Sequence, residues 1–156
     1  MPKEKIAKFN IRVYGLFINE NDEILLSDEE RFGMRMTKFP GGGLRFGEGT
    51  IDGLKREALE EFGQEIEVLQ HFYTTDFYQK AMFYENQQLI SIYYLTKFTE
   101  PERFRLTYRP FDFDEDQEEI ISFRYKKIKD IYEEELSFPV DKVVLKKLKS
   151  MQIEHS

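Results

Sequence analysis

The chain has 156 residues, 23 basic against 30 acidic side chains for a net charge of −7, no cysteine and 40% hydrophobic residues. That length suits one domain with a real core, read here as residues 1–156, and the missing cysteines exclude a disulfide framework and a thiolate metal site. The acidic balance argues against a nucleic-acid polymer as partner. With no apolar signal region in MPKEKIAKFN and no apolar run near the ~18 residues of a membrane span, a cytoplasmic protein with no membrane partner is expected.

In chain order, Asn10–Ile18 and Glu23–Ser27 read as a hairpin joined by the polar tetrad Asn19-Glu20-Asn21-Asp22. Arg31 and Arg35 then fall on a loop that runs into Thr37-Lys38-Phe39-Pro40-Gly41-Gly42-Gly43. Three successive glycines permit tight turning and close backbone approach to a ligand. A helix follows, with Thr50 as N-cap, Asp52 in the first turn and Gly63 in the left-handed C-terminal position. Ile51, Leu54, Ala58 and Phe62 keep the 3.6 period of a buried stripe. Ile66–Tyr78 and Gln88–Phe98 read as strands, the second as a central one, Ile120–Tyr125 as a short strand, and Val140–Met151 as an amphipathic helix. Strands flanked by helices make an α/β sandwich.

At about 100° per residue, Glu57, Glu60 and Glu61 share one helix face. Clustered carboxylates repel, so they need counter-charge. Arg56 supplies part of it, and a hard cation that prefers oxygen ligands supplies the rest. Mg²⁺ suits, because it takes a few carboxylates while keeping waters and binding substrate phosphates. A spare carboxylate then takes a proton from an attacking water. A run of two glutamates alone is more often a solvated helix face. Here the glycines before it and Glu48 at a fixed distance reverse that reading.

Gly42, Glu48, Arg56, Glu57, Glu60, Glu61 and Gly63 fit G-x5-E-x7-R-E-U-x-E-E-x-G-U, with U apolar, at every invariant position, and chance agreement is on the order of 10^-7 per starting position. This stretch, Gly42 to Gln64, resembles the box of the Nudix hydrolases. The resemblance implies a Nudix-type α/β/α sandwich with a mixed sheet. It also implies Mg²⁺- or Mn²⁺-dependent hydrolysis of a nucleoside diphosphate derivative by water attacking phosphorus. It assigns Glu57, Glu60 and Glu61 to the metal, with Glu57 as ligand or base, Arg56 to holding the glutamates, Glu48 to a structural or outer-sphere role, and the Gly41 carbonyl to a further metal ligand. A Nudix-like domain that senses a nucleotide sugar without cleaving it is the alternative, and such domains usually lose box glutamates. A non-hydrolytic catalyst acting on a diphosphate is a third.

Two departures from the family pattern stand out: Gln64 fills the final apolar position, and Thr37-Lys38-Phe39 stands where Trp-Gly-Leu is common. Outside the box, Glu118 or Glu119 in the acidic loop Phe111–Ile120 resembles the family's additional glutamate, a ligand or base. Lys38, Arg35 and Arg45 are candidate phosphate contacts, Lys38 foremost because it directly precedes the glycine loop. Phe9, Phe77, Tyr78, Phe83 and Phe123 are candidates to stack on a base, while His71 and His155 have no partner at metal spacing. The family's downstream proline and tyrosine signposts are replaced by Gln79-Lys80-Ala81-Met82, and the cysteines of NADH-cleaving relatives are absent. A sugar nucleotide or a nucleoside triphosphate is therefore the favoured substrate. The apolar run QLISIYYLTKF, with a family tendency to pair, suggests a homodimer.

Overall fold

The computed structural model describes residues 5–116 and 118–154. Seven strands and two helices follow in the order β1 (Lys8–Phe17), β2 (Glu23–Arg31), β3 (Met34–Lys38), β4 (Gly41–Gly43), α1 (Thr50–Phe62), β5 (Ile66–Thr74), β6 (Gln87–Phe98), β7 (Ile121–Lys127) and α2 (Pro139–Glu154). One sheet is mixed, ordered β4-β1-β6-β5, with β1 parallel to β6 and the other pairs antiparallel. The second sheet, β3-β2-β7, is antiparallel throughout.

The alternation of strand side chains sorts the core into two halves. Val13 and Phe17 of β1 and Leu25 of β2 pack with Leu54, Ala58 and Phe62 of α1. Tyr14, Leu16, Ile24 and Leu26 point the other way, to Val140, Val144, Leu145 and Leu148 of α2. Sheet residues thus lie between two helices, as the α/β sandwich expectation requires, with two sheets in place of one.

The expected hairpin of the first two strands does not form: β1 and β2 lie in different sheets and meet in a single bridge, Ile18 with Ile24, while the turn between them is held by Asn19, whose Oδ1 accepts from the Asn21 and Glu23 amides at 2.9 and 3.0 Å. The segment read as a loop around Arg31 and Arg35 is instead the β2–β3 hairpin, reversed by Phe32 and Gly33 at φ of 53° and 74°. The three glycines are likewise a strand, β4. The first two need to be glycine, because a Cβ on Gly41 would lie 2.1 Å from the Val13 carbonyl oxygen and one on Gly42 would lie 2.5 Å from the Glu57 carboxylate.

Gly49, not Thr50, is the N-cap of α1, and the Thr50 hydroxyl is engaged with the Tyr94 hydroxyl at 2.6 Å. Ile51 is exposed, so the buried stripe is Gly53, Leu54, Ala58 and Phe62, while Gly63 closes the helix in the left-handed conformation as expected. β5 stops at Thr74, four residues before the expected end, after two irregularities in its pairing with β6. Strand β6 lies between β1 and β5, with Ser91, Tyr93 and Thr96 buried. Ile92, Tyr94, Leu95 and Phe98 of its apolar run are partly buried against the core. His71 is a strand residue bonded to the Thr74 hydroxyl, and His155 lies outside the described residues.

Two polar residues buried in the fold tie distant segments together. Gln64 receives the Arg103 amide on Oε1 at 2.6 Å and donates to the Pro101 carbonyl at 3.2 Å. An apolar residue at that position would leave both backbone groups unpaired. Asp28, fully buried, accepts from Arg124 Nε at 2.7 Å, the Thr37 hydroxyl at 2.7 Å and the Phe111 amide at 3.3 Å, so one carboxylate joins β2, β3, β7 and the 107–113 segment.

Candidate active site

An open cleft of about 1390 Å³ runs between β1, β4, the flank of α1 and the acidic segment before β7. Strand β4 forms its floor because it pairs with the edge of β1, Arg12 opposite Gly43 and Tyr14 opposite Gly41. The α1 helix crosses that edge, so the Glu57 carboxylate lies directly over Gly42. Of the candidate metal, acid–base and phosphate-contact residues, Lys38, Gly41, Arg45, Glu57, Glu61, Glu118 and Glu119 line the cleft.

Glu61 is the most strongly perturbed of them. Burial, with the like charges of Glu57, Glu29 and Glu119 adding to it, pushes its carboxyl up to about 8 against the pull of Lys38. Lys38 is not a loop residue but the buried end of β3, its Nζ within 3.4 and 3.5 Å of the Phe39 and Gly41 carbonyls and 5.6 Å from the centre of the Tyr14 ring. Burial works against its charge, yet Glu29 and Glu61 hold its pKa above the usual lysine value.

Arg56 stands behind the cleft and organises it. Its Nε and Nη2 bond both oxygens of Glu48 at 2.9 and 2.7 Å, Nη2 also reaches the Gly43 carbonyl, and Nη1 meets Glu57 at 3.0 Å and Glu60 at 3.2 Å. Glu48 also accepts from the Arg45 amide at 2.8 Å, and the Arg56 contact followed by this one draws its carboxyl down to about 2. Glu60 is half-exposed, held between Arg56 and Arg45 Nη2, and is not a lining residue. Among the described residues, no three Asp, Glu or His side chains already stand close enough together to hold a metal ion. Glu57 and Glu61 share the cleft, and Glu60 is turned toward the arginines.

Arg35 falls outside the cleft lining. It pairs with Glu30 at 3.5 Å and lies over the Phe111 and Phe113 rings. Of the stacking candidates, Phe9 lines the cleft and Phe83 a neighbouring cavity, Phe123 is buried against α1, and Phe77 and Tyr78 line neither. Sequence reading missed Arg12, Glu29, Tyr84 and Phe46, all on the lining. Arg12 donates from Nε to the Tyr14 hydroxyl at 2.6 Å, and despite burial its pKa is raised by Tyr14, Tyr84 and Glu57. Only the pairing of β1 with β4 brings it there, and no local pattern announces that.

The arrangement combines clustered carboxylates with the buried cations Lys38 and Arg12 in one cleft. Such a site suits an anionic substrate whose charge is shared between metal and protein. A family model described as NUDIX domain matches residues 8–148. No curated protein sequence matches the chain at a significant level. Among solved structures, a NUDIX hydrolase from Nitrosomonas europaea aligns with TM-score 0.67 and 18% identity over 90% of this chain and 88% of its own. A MutT protein from Methanosarcina mazei Go1 aligns at 0.65 and 17% over 97% and 99%, and a UDP-X diphosphatase at 0.63 and 16% over 97% and 68%. At these identities the likeness is one of fold.

Proposed function

Because the chain belongs to the NUDIX domain family, we propose that it hydrolyses the diphosphate linkage of a nucleoside diphosphate derivative, as one domain spanning residues 1–156. The observation that carries this reading is the convergence of Glu57, Glu61 and the β4 backbone in one cleft with Lys38 and Arg12. The donor set there is oxygen only, and the buried Glu61 carboxylate lacks enough positive charge to offset its like-charged neighbours. That chemistry fits a hard divalent cation, Mg²⁺ or Mn²⁺. Glu57, Glu61 and the Gly41 carbonyl would hold it, joined by Glu60 once released from Arg45. When bound, it supplies Lewis-acid polarisation of the phosphoryl oxygens.

The protein's own groups then have separable tasks. A carboxylate of the cleft, Glu118, Glu119 or Glu57, takes a proton from water as the water oxygen bonds to phosphorus and the bridging P–O bond breaks. Lys38, Arg12 and Arg45 offset the negative charge left on the departing phosphate oxygen. Arg56, fixed by Glu48, holds Glu57 at the cleft and Glu60 beside it.

Sugar nucleotides and nucleoside triphosphates are the favoured substrates. Structural neighbours described as UDP-X diphosphatase and MutT accord with either choice. The test is release of a nucleoside monophosphate from a panel of nucleotide sugars and triphosphates with Mg²⁺, and its loss on chelation. Binding of a nucleotide sugar without any cleavage across that panel would favour the sensor alternative and overturn the hydrolytic one.

A further inference from the structure

Arg35, set apart from the cleft, has surroundings that an ordinary surface arginine lacks. Its guanidinium carbon lies 5.4 Å from the centre of the Phe111 ring and 5.6 Å from that of Phe113, and the two rings meet at 6.1 Å. One cation thus serves two aromatic rings. Its Nε also stands 3.5 Å from Oε1 of Glu30, its cross-strand partner on β2.

These contacts fall at the two ends of the acidic segment that carries Glu118 and Glu119. At the first end Phe111 has a φ of 58°, a left-handed conformation that a bulky residue rarely adopts unless its surroundings impose it. Its amide donates to the fully buried Asp28 at 3.3 Å, and Arg105 Nη1 donates to the next carbonyl, that of Asp112, at 2.6 Å. At the other end the Glu30 amide donates to the Ile120 carbonyl at 3.0 Å, just before β7 joins β2. Glu119 precedes that fixed carbonyl by one residue. It lines the cleft, and its charge acts on Glu61 there.

Folding alone gives Arg35 little to do. Its side chain is 57% exposed, and ion pairs that open to solvent contribute little to stability. What its contacts do fix is the path of the chain between Phe111 and Ile120. We infer that Arg35 is a positioning residue: by holding Phe111 and Phe113 on one side and Glu30 on the other, it clamps the acidic segment against β2 and β3 and keeps Glu119 at the cleft. The kinetic consequence rests on the hydrolytic reading given above, in which a cleft carboxylate takes a proton from the attacking water. Arg35 then acts on turnover from outside the cleft, through Glu119.

Arg35→Met, which removes the charge and keeps much of the side-chain length, tests this. It is expected to lower kcat about tenfold with KM within about twofold, because a displaced carboxylate slows proton transfer and leaves substrate contacts alone. The melting temperature should stay within about 3 °C of wild type. Glu119→Gln should lower kcat by about a hundredfold or more. In that background Arg35→Met should add less than about twofold, since the group it positions is already lost. Amide hydrogen exchange over residues 111–120, measured without substrate, should quicken in Arg35→Met and not in Glu119→Gln. Where Arg35→Met does not fold, Phe113→Leu removes one ring of the clamp and is judged by the same measurements. An unchanged kcat, a rise in KM alone, or a loss that multiplies with that of Glu119→Gln overturns the inference. Faster exchange in Arg35→Met, with no nucleotide hydrolysed by the wild type, would defeat the hydrolytic reading and leave the clamp standing. Hydrolysis by the wild type with exchange unaltered by the substitution would do the reverse.

Discussion

Arg56 and Glu48 meet through two parallel hydrogen bonds, Nε to Oε2 at 2.9 Å and Nη2 to Oε1 at 2.7 Å, across the turn that leads from β4 into α1. The fork fixes the guanidinium plane, and Nη1 then holds Glu57 and Glu60 in position. Arg56→Ala is expected to lower stability by about 1–3 kcal/mol, since the network is partly shielded from solvent, and to reduce kcat/KM together with it. Arg56→Lys should recover little, because an ammonium cannot make the paired contact. Thermal melts and steady-state kinetics on both variants check this. A melting temperature and activity matching the wild type would refute it.

Glu61→Gln should separate activity from stability. The substitution removes an anionic oxygen from the cleft, and turnover is expected to fall by at least about a hundredfold, several kcal/mol of transition-state stabilisation. The metal-free protein should lose no stability, because burial, with a pKa of about 8, already keeps the Glu61 carboxyl largely protonated near neutral pH and the isostere removes little charge. Glu60→Gln should also depress turnover, with weaker Mn²⁺ binding, as Glu60 has to leave Arg45 to reach an ion. Titration with Mn²⁺ and chelator-treated melts give the two readouts. Wild-type turnover in both variants would remove these residues from the metal site.

What the sequence made legible was local. Helix α1 and its Gly63 cap follow from a 3.6 period and a left-handed terminus, and Glu57, Glu60 and Glu61 share a face by the same arithmetic. The hairpin β2–β3 was hidden because its turn is Phe32-Gly33, without the asparagine or aspartate that usually marks such turns, and its outer strand is polar. Arg12 comes to the cleft through pairing of β1 with β4, Glu29 through pairing of β2 with β3 and β7, and Asp141 to its place beside Tyr93 through docking of α2 against β6, all contacts that no local pattern announces. Lys38 was read correctly as a neighbour of the glycines and wrongly as a loop residue, since the burial of β3 depends on its pairing with β2.

Lys38→Met is expected to weaken both catalysis and the fold. The lysine is 5% exposed over the Tyr14 ring and offsets Glu29 and Glu61, so its loss leaves two carboxylates less compensated. A fall of about ten- to hundredfold in kcat/KM should accompany a stability loss of about 1–3 kcal/mol. Saturating Mn²⁺ should restore part of the stability and none of the phosphate contact. An unchanged kcat/KM would return Lys38 to a purely structural role.

Asp28→Asn tests a buried ion pair that does not itself line the cleft. The carboxylate is fully buried, and its partner Arg124 is nearly so, with Thr37 and the Phe111 amide completing its contacts. Removing the negative charge strands a buried guanidinium, which is expected to cost about 3–5 kcal/mol in chemical denaturation. Retention of wild-type stability would show that solvent reaches the pair.

Asp141 makes stability depend on pH with a definite sign. Burial pushes its carboxyl up to about 6, against the Tyr93 hydroxyl bond and the charge of Lys38, from an ordinary value of 3.8. A group with a raised folded pKa contributes stability that is fully present below its unfolded value and is lost as pH rises through the folded one. Wild-type stability should therefore decline relative to Asp141→Asn between about pH 4 and pH 7, by on the order of 2–3 kcal/mol for a shift of about two units. Glu48 acts in the opposite sense and in a lower window, its stabilisation present above the usual glutamate range and lost as pH falls toward about 2. The two effects are separated by taking the difference between wild type and Asp141→Asn at each pH, since Glu48 is common to both. A difference that stays flat from pH 4 to pH 8 would mean that Asp141 titrates in the folded protein as it does in the unfolded chain.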